Sequence, residues 1–265
     1  MDDERWSFPN RATPPGSSAY YSIRIAPAAR RDALAALFGW RDRVRAVLDE
    51  VSDPGVARLK LDWWRQEIER TLAGRPGHPV SHALASTTSG LPPEPFHAIA
   101  EQTEAELRGQ RNADLDAQRR AAERDLGALF ELVVRVDEPI DPLRIEQASQ
   151  AGAWCWLVRR WRDGGALLRR GREVIPDQPL QAAGLSQAKL ASPGERHHLP
   201  DLLASLAPDL QRCRPDPTGL PPALRAQVSI HAALLDELAR DGFPVVDQRI
   251  GLTPLRKLWL AWRSR

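Results

Sequence analysis

"PAARRDALAALFGWRDRVRAVLDEVS", residues 27–52, decides the fold class. A proline opens it, and Leu37, Trp40, Val44, Val47 and Val51 then recur three or four residues apart, the spacing of one helix face. Asp53-Pro54 follows at once, an N-cap with proline at the first helical position, and Gly74 closes the helix that it starts. The punctuation continues in this manner. Pro95 to Arg108 reads as a third helix stopped by Gly109, and Leu115 to Val136 as a fourth. Asp141-Pro142 opens a long run to Gly171, and Ser192-Pro193 opens "GERHHLPDLLASLAPDLQRC" (194–213). A last strong helix spans about Pro221 to Asp241, ahead of Gly242. Alternating strand patterns are nearly absent and connections are short. The expectation is one all-α domain of seven or eight helices over residues 17–265, behind a Pro/Gly-rich flexible segment, 1–16.

Composition narrows the function classes. Of 265 residues, 42% are hydrophobic and 27% charged, ordinary values for a soluble globular chain. Thirty-seven basic residues face 35 acids, so the net charge of +2 argues against nucleic acid as a partner. Cys155 and Cys213 form neither a disulfide framework nor a zinc signature, which points to a reducing cytoplasm. The acidic start "MDDERWSFPN" lacks a signal-peptide pattern, and no stretch approaches the roughly 18 apolar residues that span a bilayer.

Four phrases in order, "SSAYYSIRIAPAARRDALAALFGW" (17–40), "KLDWWRQEIERTLAGRPGHPV" (60–80), "RDGGALLRRGREVIP" (162–176) and "LLDELARDGFPVVDQRIGLTPLRKLWLAW" (234–262), resemble the squalene/phytoene synthase family of head-to-head isoprenoid synthases. The resemblance covers nearly the whole chain and implies a single-domain isoprenoid (terpenoid) synthase-like helical bundle. It also implies a chemistry. In the family, D-x-x-x-D motifs on two facing helices clamp Mg2+, which neutralises a leaving diphosphate, and an apolar tunnel houses the prenyl chains. Carboxylates at i,i+4 share a helix face, and Mg2+ demands oxygen ligands in near-octahedral geometry.

Against that pattern each cluster here has lost a member. The leading aspartates of the first motif fall on Arg45 and Ala46, and only Asp49 remains. A family diphosphate-binding arginine falls on Asp42. The second motif keeps Asp163, but its i+4 partner is Leu167 and the acid before that is Ala166. A family asparagine falls on Arg159, and a tyrosine on Ala121. Small or polar family positions fall on Leu126, Phe130, Trp154 and Trp156, which add bulk where a prenyl chain would lie and imply a narrowed or closed tunnel.

The residues also carry plainer readings. Arg45 with Asp49, and Arg159 with Asp163, stand at i,i+4 and read as ion pairs, worth about 0.2–0.5 kcal/mol each on an exposed helix. Asp49 and Asp163 are at best weak metal candidates. Arg45, Arg159, Arg160 and Arg162 could instead make a metal-free anion site, or Arg159 and Arg160 could face solvent. Trp154, Leu157 and Trp161 form a core stripe. The histidines fit no metal spacing, and Asp236-Glu237 and the acids of "EQTEAELRG" (101–109) read as solvated faces. Leu255, Leu258, Trp259 and Trp262 against Arg256, Lys257, Arg263 and Arg265 suit either a membrane interface or a helix docked on the body.

The combined expectation is a family member without Mg2+-dependent prenyl transfer or any other cofactor, acting by binding a protein partner, a membrane surface or an isoprenoid lipid. Complex I assembly factors, which look like this family, supply the analogy. The alternatives are an active squalene- or phytoene-type prenyltransferase with a rebuilt diphosphate site, needing Mg2+, and a lipid carrier. The corresponding location is the cytoplasm, peripheral on the inner membrane face if the C-terminal helix binds lipid.

Overall fold

The computed structural model describes residues 6–87, 90–137 and 141–265. Among them there is no strand, in agreement with the all-α expectation. The helices are α1 (Ser18–Arg24), α2 (Arg31–Glu50), α3 (Pro54–Leu72), α4 (Pro79–Thr87), α5 (Glu94–Leu107), α6 (Leu115–Ala122) and α7 (Ala128–Asp137). They continue with α8 (Pro142–Arg162), α9 (Gly164–Arg169), α10 (Asp177–Ala182), α11 (Gln187–Ala191), α12 (Leu199–Arg212), α13 (Pro222–Arg240) and α14 (Pro254–Arg263). The Asp-Pro starts at 53 and 141 are where the sequence puts them. Asp53 and Asp141 each cap with a side-chain oxygen, accepting from Val56 N and Leu143 N, which satisfies amides that a helix start leaves open.

Helix α8 is the centre, packed against α6, α7, α13 and the turn that joins α6 to α7. Its glycine is a packing device. A Cβ on Gly152 would lie 2.4 Å from the Leu126 carbonyl oxygen, so the two backbones touch and nothing larger than hydrogen fits. On the partner side Glu123–Gly127 winds as one π-helical turn between α6 and α7. Helix α2 lies nearby with Leu34, Leu37, Trp40, Val44 and Val47 buried. Trp40 meets Trp64 and Phe96 edge-on at ring-centroid distances of 6.2 and 4.9 Å. That leaves Arg41, Arg45 and Asp49, at i, i+4 and i+8, on a different face of α2.

Several boundaries differ from the sequence reading. Ser192-Pro193 does not start a helix; Ser192 is the C-cap of α11, and α12 begins only at Leu199 with Pro200 in its first turn. The run after Asp141 breaks at Asp163, because the segment before α14 crosses there. Gly165 N donates to Val245 O at 3.0 Å, and a Cβ on Gly165 would sit 2.0 Å from Val246 O. Such breaks, with the short helices α4, α10 and α11, raise the number above the expected seven or eight. The first 16 residues, read as flexible, are held down over their described part. Trp6 is buried with its ring over Gly39, and Asn10 Nδ2 donates to Ala35 O at 2.8 Å.

Candidate functional site

Helices α2 and α8 face each other across a cavity of about 430 Å³. All six motif positions singled out in the sequence, Asp42, Arg45, Asp49, Arg159, Asp163 and Leu167, line it. The i,i+4 spacing along each helix is what aims them at one space. Its apolar lining comes from Ala46, Leu48, Trp156 and Leu167 alone; the rest is charged.

The ion pairs are not the expected ones. Arg45 does not close on Asp49. Its guanidinium makes a two-pronged bond to Glu106 of α5 at 2.8 and 3.0 Å and approaches Asp125 Oδ2 at 3.4 Å. Asp49 is instead held by Arg172 at 2.5 Å and Arg170 at 3.4 Å. Asp163 does not pair with Arg159 either; it takes Arg162 at 2.9 and 2.5 Å and Arg249 at 2.8 Å. For Arg45 and for Asp163 the chosen partner forms a two-pronged guanidinium–carboxylate fork, which is stronger than a single-point contact.

The deepest group is one that the sequence reading missed. Asp125 sits in the π-helical turn with its side chain fully buried. It accepts from Arg41 at 2.6 and 2.8 Å and from the Trp156 indole N–H at 2.7 Å. Burial pushes its pKa up, but Arg41 and Arg45 outweigh burial and bring it down to about 2. Glu106 is likewise opposed by burial and lowered by Arg45 and Arg160. In turn burial disfavours the Arg45 charge, yet Asp125 and Glu106 raise its pKa. The acids of 101–109 are therefore not simply a solvated face: Glu106 is part of this network, and Glu104 binds Arg65 and Arg108. Arg160 is not solvent-facing; it is buried, with Nε donating to Glu173 O at 2.6 Å and its guanidinium 4.3 Å from the Trp156 ring centroid.

Arg159 stands apart. It makes no hydrogen bond or ion pair with any described residue. Burial, with Arg41 and Arg162 close by, lowers its pKa to about 10. It borders a second cavity of about 360 Å³, together with Arg162, Arg249, Lys257, Gln227 and Ser17. Below it lies His231, buried, with Nδ1 at 2.7 Å from Gln227 O and no partner for Nε2.

The four bulky residues divide. Leu126, Phe130, Trp154 and Trp156 are all buried. Trp156 borders the charged cavity, whereas Trp154 faces α12, its indole N–H donating to Leu210 O at 2.8 Å. Trp154 therefore does not fill the space in front of Asp49 and Asp163. With Leu157 and Trp161 it lines a separate groove of about 600 Å³ against Leu206 and Leu210.

The resemblance implies Mg2+ at this site. A D-x-x-x-D clamp needs free carboxylate oxygens converging on one point. Asp49 and Asp163 are each already ion-paired with two arginines. Among the described residues no three His, Cys, Asp or Glu side chains converge at metal-binding distance. Arg45, a fixed cation, stands where a ligand would be, and the donor set does not fit.

Comparison with known proteins places the fold and its lineage. The squalene/phytoene synthase family model matches residues 12–258. A presqualene diphosphate synthase of Sinorhizobium fredii is 26% identical, with 96% of this chain and 95% of that protein covered. A chloroplastic phytoene synthase 3 of Zea mays is 27% identical over 64% of this chain, which spans only 42% of that protein's length. A crystal structure of a dehydrosqualene synthase with a ligand superposes with a TM-score of 0.75 at 16% identity, covering 93% of this chain and 90% of the other. With the motif positions gathered in one groove, and a family match running nearly end to end, the chain belongs to the squalene/phytoene synthase family.

Proposed function

We propose that this chain is a family member that has given up Mg2+-dependent prenyl transfer and acts by binding, as an assembly-type or scaffold protein. The observation that carries the reading is the Arg45–Glu106–Asp125 network. A cation at an inherited metal-ligand position is held by two buried carboxylates, so the groove's charges are neutralised by protein rather than left for metal and diphosphate. Transition-state stabilisation of a leaving diphosphate needs preorganised positive charge directed at it. Here most of that charge is turned toward internal carboxylates. On incubation with farnesyl or geranylgeranyl diphosphate and Mg2+, diphosphate release is expected to stay at the level of a no-protein control. Robust release, with a head-to-head product, would overturn the proposal in favour of an active synthase.

A second reading is favoured by Arg159 and the cavity it borders with Arg162, Arg249 and Lys257. These cations could hold a phosphate-bearing ligand without metal, by the bidentate and point-charge contacts typical of arginine and lysine. Calorimetric titration of diphosphate in the presence of a chelator should then give saturable binding that Arg159→Gln weakens at least roughly tenfold, the loss of one charge-assisted contact. Absence of saturable binding removes this reading and leaves the first intact.

A further inference from the structure

Helix α14 has two opposite faces. On the inner one Ala261 is fully buried, Leu260 packs on the core, and the Ser264 hydroxyl, just past the helix, donates to Ser229 Oγ of α13 at 3.0 Å. The helix is therefore docked by its back. On the outer face Leu255, Leu258, Trp259 and Trp262, at i, i+3, i+4 and i+7, are 78, 41, 50 and 59% exposed. Docking has not buried them, so the alternative between a docked and a membrane-seeking helix dissolves: one face does the first and leaves the other available.

Charge indicates what covers that face. From Gln248 to Arg265 the chain carries Arg249, Arg256, Lys257, Arg263 and Arg265 and no acid. Arg256 is engaged by Glu237, Lys257 by Gly16 O, and Arg249 by Asp163. Among the described residues Arg263 is paired with no carboxylate, and it lies over the Trp259 ring, 4.7 Å from its centroid. It stands beside the apolar stripe, and Arg265, exposed, follows just past the end of the helix. Tryptophans with cations at the margin match the boundary between acyl chains and headgroups, where an indole is half apolar and half wet. A protein interface is depleted in charge at its core and enriched in arginine as well as aromatic residues, but it offers no reason for an acid-free segment. The helix is ten residues long with three cations, and no helix among the described residues is long and apolar enough to cross a membrane. Such a helix lies flat.

We infer that the outer face of α14 seats the protein on an anionic phospholipid surface, with Trp259 and Trp262 entering the interface and Arg263 and Arg265 meeting lipid phosphates. This goes beyond the proposed function and stands whether or not the groove is catalytic.

The test is co-sedimentation of the full chain with sucrose-loaded phosphatidylcholine vesicles, with and without phosphatidylglycerol. Binding to the anionic vesicles is expected to be roughly tenfold tighter than to neutral ones, to weaken with salt, and to shift tryptophan emission to the blue. The double variant Trp259→Ser/Trp262→Ser should lose at least roughly tenfold in binding with an unchanged circular-dichroism spectrum and melting temperature, because both rings are outside the core. Leu255→Asp, at the most exposed position, is the second variant and should act alike. The inference is overturned if the chain stays in the supernatant with anionic vesicles, or if both variants bind as well as the parent. It is also overturned if the same indoles drive self-association in light scattering while both vesicle types are ignored.

Discussion

Asp125→Ala is expected to lower the thermal unfolding midpoint by roughly 10 °C. The carboxylate is fully buried and is shared by Arg41, Arg45 and the Trp156 indole. Deleting it strands the Arg41 guanidinium, which has no other ion-pair partner among the described residues, and leaves Arg45 to Glu106 alone. Breaking a buried pair from one side costs about 3–5 kcal/mol, because an uncompensated charge remains behind. In a chain of this size about 1 kcal/mol moves the midpoint by roughly 2–4 °C. Glu101→Ala, at an exposed position on the outside of α5, is the control and should change little. Differential scanning of the two variants decides it: a shift for Asp125→Ala no larger than for Glu101→Ala would show that the network is not structural.

Stability should fall with acid in two windows that overlap only at their edge, between about 3 and 3.8. His231 is buried, with its neutral ring accommodated and Arg159, Arg162 and Lys257 nearby; burial first, and then those cations, lower its pKa to about 3. Its ordinary value is 6.5. Between these values the unfolded chain binds a proton that the folded chain refuses, so stability declines as pH falls from 6.5, by about 1.4 kcal/mol per unit. The carboxylates act lower. Asp125, at about 2 against an ordinary 3.8, holds its contribution above 3.8 and loses it as pH falls toward 2. Urea unfolding of the parent at pH 7, 5.5 and 4.5 should show the first decline, and His231→Leu should flatten it while leaving the lower window in place. Identical slopes for parent and variant would remove His231 as its source.

The helices were legible in the sequence because their ends are written in local chemistry: Asp-Pro starts at 53 and 141, and glycines at 74, 109 and 242 with positive φ. Ser192-Pro193 misled because a Ser-Pro pair also serves as a helix stop. The groove was legible by position, since spacing along α2 and α8 determines which side chains share a face. Its wiring was not. Arg45 finds Glu106 at a separation of 61 residues, Arg41 finds Asp125 at 84, Asp163 finds Arg249 at 86 and Asp49 finds Arg172 at 123. No helical period relates such pairs. Asp125 left only a weak trace, as the last of three charged residues, Glu123, Arg124 and Asp125, ahead of the apolar stretch "LGALF" (126–130). The π-helical turn, however, rotates that residue away from where an α-helical period would put it.

The same network constrains how this lineage can change. Restoring a carboxylate at position 45 alone would set a third negative group beside Glu106 and Asp125, in a place where water cannot screen it. The fold would weaken before any metal had a complete set of ligands. Glu106, Asp125, Arg172 and Arg249 would have to be altered together with positions 45 and 167, on six different segments. On the proposed reading, these pairings work as a latch that keeps the groove in its present state.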